Sequence, residues 1–92
     1  MYDVKFILSQ HAQKELIKRK IPISILELIL EHPEQIIRED GLKVYQGTLT
    51  MNNNKTYLMR IYVNELVEPN KIVTVYLTSK LKKYGGVRNN GS

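Results

Sequence analysis

The 92-residue sequence contains no cysteine, which excludes a disulfide framework, a thiolate metal site and a cysteine nucleophile. A reducing compartment fits that absence, so a cytoplasmic location is expected. No apolar run approaches the roughly 20 residues that span a bilayer, and the opening residues lack the basic-then-apolar layout of a signal peptide; no membrane partner is expected. There is no internal repeat. Acidic residues are missing altogether after Glu68. The only histidines, His11 and His32, have no H-x-x-x-H spacing and no carboxylates clustered near both, so neither a metal nor any other cofactor is implied.

What is present describes one ordinary globular domain. Hydrophobic residues make up 42% and charged residues 25%, enough for a single modest core. The domain is expected over residues 1–84, with a flexible tail from Gly85-Gly86 to the end, 85–92. The formal charge of +5 is unevenly spread. Residues 1–40 hold six Lys or Arg against seven Asp or Glu, and residues 41–92 hold eight against two. A basic C-terminal half attracts polyanions through counterion release and steering, with RNA or DNA the leading candidates.

Val4 to Leu8 reads as a short strand, and Ser9 as the N-cap of a helix from Gln10 to Lys20. His11 falls in its first turn, near the positive end of the helix dipole, which favours a neutral imidazole able to accept a proton. Glu15 lies one turn on, where it can pair with His11 or with Arg19. Ile21-Pro22-Ile23 interrupts the helix. Ser24 and Glu27 form a capping box for a second, mostly apolar helix ending near Glu31, with His32 at its C-terminus and Pro33 as the stop. The period then becomes two. Ile36–Glu39 and Leu42–Gln46 flank Asp40-Gly41, a tight-turn signal for a hairpin, and Gly47 begins the exit from the second strand or marks a bulge. Thr56–Val63 is the next strand, with Tyr57, Met59, Ile61 and Val63 facing the core and Leu58, Arg60 and Tyr62 facing away. In the last strand, Lys71–Thr78, Val73, Val75 and Leu77 face one way and Thr74, Tyr76 and Thr78 the other.

The expected fold is α+β: two N-terminal helices packed on one face of an antiparallel sheet, in the order strand-helix-helix-strand-strand-strand-strand. Arg60, Thr78, Ser79, Lys80 and Lys83 would line a shallow groove on the polar face. Tyr45, Tyr62, Tyr76 and Tyr84 supply rings, and tyrosines interleaved with cations suit single-stranded nucleic acid, which needs stacking platforms and phosphate neutralisation.

The run Phe6-Ile7-Leu8-Ser9-Gln10-His11-Ala12, with Arg19 and Ile21, resembles the opening of a family of small bacterial proteins of uncharacterised function. That opening has an aromatic, a Ser or Thr, a His-Ala pair, then Arg, Arg, Gly and Ile at helical spacing. Val44-Tyr45, Tyr57, Arg60 and Val73-Thr74-Val75-Tyr76-Leu77-Thr78-Ser79-Lys80 match its second half. Glu15 departs from the pattern where the first arginine is usual, and Lys20 where a glycine is usual. The family is placed in the RelE/ParE toxin superfamily, whose fold sets two helices against a curled antiparallel sheet and whose best-known members are ribosome-dependent endoribonucleases.

The resemblance implies metal-independent RNA cleavage: a base for the 2′-hydroxyl, cations for the phosphate and an acid for the leaving oxygen. It implies His11 as acid or base, Arg60 and Lys80 as phosphate stabilisers and Tyr84 as a stacking or proton-donating group. Arg19, Tyr76, Thr78, Ser79 and Lys83 would contact RNA. The implied partners are RNA or the ribosome, and an antitoxin protein covering the groove. The alternatives are a non-catalytic RNA- or protein-binding module of the same fold and a toxin that grips a protein target.

Overall fold

A computed structural model describes residues 6–81. Tyr84, Lys83 and the expected tail lie outside them. The elements are β1 (Phe6–Leu8), α1 (Gln10–Lys18), α2 (Ile23–Glu31), β2 (Gln35–Glu39), β3 (Leu42–Thr50), β4 (Thr56–Asn64) and β5 (Asn70–Thr78). They build an α+β fold with one five-stranded sheet in the order β1-β5-β4-β3-β2. The expectation of an all-antiparallel sheet is corrected. β2 to β5 form an antiparallel meander, but β1 pairs with β5 in parallel, Phe6 opposite Asn70 and Leu8 opposite Ile72. Parallel neighbours cannot be joined by a tight hairpin, and here the connection is the whole body of the chain from α1 to β4. No helix among the described residues is long and apolar enough to cross a membrane.

Ser9 caps α1 as expected: its extended backbone (φ −67°, ψ 162°) lets Oγ accept from the Ala12 amide at 3.0 Å. The same hydroxyl donates to the Val73 carbonyl at 2.8 Å, and the Ser9 amide to the Ile72 carbonyl at 3.0 Å. One side chain thus both starts α1 and fastens it to β5. The helix stops at Lys18, two residues before the expected end. Lys20 takes a left-handed conformation (φ 56°), its amide donates to the Ile17 carbonyl, and the Ile21 amide donates to the Leu16 carbonyl at 2.9 Å. This is a Schellman closure, with buried Ile21 and Leu16 in the positions of its hydrophobic contact.

The capping box at Ser24 and Glu27 does not form. α2 begins two residues earlier than that box implies, with Pro22 (φ −65°, ψ 145°) as an N-cap lacking any side-chain hydrogen bond. Proline's fixed φ sets the helix start, which leaves Ser24 exposed inside the first turn. Asp40 and Gly41 both have positive φ, 54° and 79°, the conformation of a type I′ hairpin turn, so that signal holds. Gly47 neither ends β3 nor bulges: it pairs with Met59 in mid-strand, and a Cβ there would lie 3.6 Å from Ile29 of α2. The irregularity falls elsewhere, where Tyr62 faces Thr74 but Val63 faces Ile72. Val73 is the extra residue, and its carbonyl is the one that receives Ser9. Ile72, not Val73, therefore joins Val75 in the core.

That core lies between the helices and one sheet face: Ala12, Leu16, Leu26 and Ile29 against Met59, Ile61, Val63 and Ile72, with Phe6 and Tyr45 packed at its margin. Phe6 and Tyr45 meet edge to face, with centroids 6.2 Å apart. Tyr45 is thereby on the helix side and not on the polar face expected for it. At the hairpin end, Glu65 accepts from Arg38 (2.9 Å) and Lys43 (3.2 Å), which hold its carboxyl below its ordinary value of 4.5 and tie β2 and β3 to the β4–β5 connection.

Candidate nucleic-acid interface

Alternation along β3, β4 and β5 puts Val44, Gln46, Leu58, Arg60, Tyr62, Tyr76 and Thr78 on the face away from the helices. This face is not an open polar surface, for Val44 and Leu58 are buried on it and Arg60 is only 4% exposed. Residues in register across the sheet form one polar row: Gln35, Gln46, Arg60 and Tyr76, one from each strand of the meander.

The row is connected. Gln46 donates through Nε2 to Gln35 Oε1 at 2.8 Å and accepts through Oε1 from Arg60 Nε at 2.9 Å. Arg60 also donates to the Tyr62 hydroxyl (2.8 Å) and, through Nη2, to Glu39 Oε1 (2.7 Å). Its guanidinium lies 5.4 Å from the Tyr62 ring centroid. Burial pushes the Tyr62 phenol above its ordinary value, with the Arg60 charge opposing. No buried side-chain nitrogen or oxygen among the described residues lacks a partner. A buried guanidinium demands such satisfaction, because an unpaired charge away from water is strongly unfavourable.

At the end of β5, Thr78 pairs with Leu58, and its hydroxyl accepts from the Lys80 amide at 3.0 Å. Ser79 and Lys80 beyond it are exposed, and so is Tyr76, at 39%. Lys80 is the exposed cation at this end, and Lys71 lies on the same face at the other end of β5, opposite Asn64. Toward β2 the face carries carboxylates, Glu39 on Arg60 and Glu34, which accepts from the Thr48 amide and hydroxyl.

His11 and Arg19 belong to the other side. α1 packs through Ala12 and Leu16 on the face bearing Ile61 and Val75, and His11 is exposed at its first turn. Glu15 is taken by Arg19 (3.0 Å), and that hydrogen bond is the main reason its carboxyl lies below the ordinary value. The fold thus brings Arg60, Tyr76, Thr78, Ser79 and Lys80 to one face and the end of one strand, and places His11 and Arg19 on a helix covering the other face. A cleft of about 460 Å³ is also on the helix side, with Gln13 and Lys20 as its polar lining residues. Among the described residues no three His, Asp or Glu side chains are grouped to hold a metal.

Sequence reasoning missed Gln35, Glu39 and Gln46. The hairpin turn carried the signal: a two-residue turn at Asp40-Gly41 sets Glu39 opposite Leu42 and Gln35 opposite Gln46, so two amides must share a face. No protein-family model, curated protein or solved structure matches the chain.

Proposed function

We propose that this chain is a RelE/ParE-like protein that binds single-stranded RNA along β5, as a binding module and not as an endoribonuclease. The carrying observation is the placement of Tyr76: exposed at 39%, in register with Arg60, and followed just past the end of the strand by exposed Ser79 and Lys80. A ring and a cation at that spacing can stack a base and neutralise the next phosphate. Two helices over one face of an antiparallel β2–β5 meander are the coarse arrangement that the resemblance of the opening signature leads one to expect.

Binding without cleavage is favoured by the position of His11. General acid–base chemistry needs the imidazole within about 2.6–3.2 Å of the proton it moves, while cations hold the same phosphate. Here His11 belongs to a helix on one face, Arg60 projects from the opposite face and is held by Glu39, and Arg19 is paired with Glu15.

Amide chemical-shift mapping with a short single-stranded RNA tests the proposal. Shifts are expected on β5 and the adjoining part of β4, centred on Tyr76 and Lys80, with α1 unmoved and the RNA recovered intact. Shifts centred on His11, with new RNA ends that vanish in His11→Ala, would replace this reading with the nuclease.

A further inference from the structure

The Arg60–Glu39 pair has an uneven build. Among the described residues Arg60 is the buried charged side chain, with 5% of its side chain exposed, whereas the Glu39 side chain is 42% exposed. Nε and Nη1 of the guanidinium are built into the sheet by Gln46 and Tyr62. Nη2 meets a carboxylate on the last residue of β2, beside a turn whose two central residues have positive φ. Glu39 can therefore turn into water without disturbing the sheet, while Arg60 cannot leave.

We propose that the Glu39 carboxylate is a built-in competitor at Arg60, holding in the RNA-free protein the place of the phosphodiester that the family resemblance leads one to expect there; this deepens, and rests on, the assignment of β5 as the RNA-binding strand. Carboxylate and phosphate present the same paired oxygens to a guanidinium, so one anion replaces the other without leaving the buried charge unpaired. Arg60 and Tyr76 are direct cross-strand neighbours on one face, so the subsite and the ring belong to the same surface. Glu39 then acts as a built-in competitor that sets a threshold for RNA.

The test is Glu39→Gln, which keeps an oxygen to accept from Nη2 and removes the competing charge. Its neighbour Asp40→Asn removes one charge from the same turn without touching Arg60, and controls for a general electrostatic gain. Binding of a single-stranded oligonucleotide is measured across salt concentrations. Glu39→Gln should bind roughly tenfold tighter, with the slope of log K against log salt steeper by about 0.7, one additional phosphate contact. Asp40→Asn should gain less and keep the parent slope. The gain should shrink in Glu39→Gln/Arg60→Lys, which keeps the charge but loses the fork.

A second arm titrates Glu39→Gln with dimethyl phosphate and follows the Arg60 guanidinium resonances, which reads the subsite without RNA. Perturbed Arg60 resonances with no RNA binding by any variant would retain the phosphodiester subsite and sink the RNA reading. Equal gains for Glu39→Gln and Asp40→Asn, with Arg60 resonances unmoved by the diester, would overturn the subsite.

Discussion

Replacing Arg60 by methionine removes the guanidinium's donors to Gln46, Tyr62 and Glu39 while keeping most of the aliphatic stem. Gln46 is 1% exposed, and its Oε1 loses a charged donor at 2.9 Å; an acceptor orphaned at that depth is worth about 1–3 kcal/mol. Tyr62 is half-buried and loses a 2.8 Å bond, roughly another 0.5–1.5 kcal/mol. Glu39, 42% exposed, rehydrates and adds little. Relief from burying the guanidinium offsets part of the loss, giving a net destabilisation of about 1–3 kcal/mol. At ~4–8 °C per kcal/mol for a domain of this size, the thermal midpoint should fall by roughly 5–25 °C. Adding Gln46→Leu removes the orphaned acceptor and should recover about 1–2 kcal/mol, measured as coupling in a double-mutant cycle by urea denaturation. An Arg60→Met midpoint near the parent's, or a double variant that loses the plain sum of the singles, would refute the view that this row is a connected and buried unit.

Three further outcomes follow from local structure. Lys20→Gly should stabilise by about 0.5–1 kcal/mol, because Lys20 sits at the left-handed residue of the Schellman closure where a Cβ is unfavourable; an unchanged or lower urea midpoint would contradict it. Gly47→Ala should be neutral to stabilising by up to about 1 kcal/mol, since its Cβ meets Ile29 at ordinary contact distance and alanine loses less chain entropy on entering a strand; clear destabilisation would show that α2 needs the bare backbone. Glu65 and Glu15 have carboxyls lowered in the folded state, so their contribution is present above the ordinary value of 4.5 and is lost as pH falls through the lower folded values. Glu65→Gln should therefore flatten the acid limb of a stability-versus-pH curve; a limb as steep as the parent's would exclude that carboxylate as a source.

Features set by neighbours in sequence were legible before the fold was known. Ser9 caps the helix that follows it, and Asp40-Gly41 turns the hairpin, because each acts within a few residues. The errors came where distant chain decided. Ser9 also reaches Val73, 64 positions away, and the bulge there exchanges Val73 for Ile72 in the core, which strict alternation cannot foresee. β1 is three residues long and carries no mark of its parallel partner. One error was local: Pro22 displaced an apparently good capping box at Ser24 because its backbone geometry, not a hydroxyl, sets the helix start. At the proposed site, Tyr76 and Lys80 were singled out by type and strand position, and the structure shows both exposed. Arg60 was assigned to the correct face but read as an open cation, since charge alone does not reveal Gln46, Tyr62 and Glu39 assembling around it.

The most direct test of the central claim is single-stranded RNA binding measured across salt for the parent, Tyr76→Ala, Lys80→Ala and His11→Ala, with the recovered RNA checked for new ends. Tyr76→Ala should weaken binding by about 1–3 kcal/mol, the value of one stacked base. Lys80→Ala should lower the salt slope by about 0.7, one phosphate. His11→Ala should match the parent in both, and the RNA should stay intact. Binding indifferent to Tyr76 and Lys80, or cleavage that disappears with His11, would contradict the account.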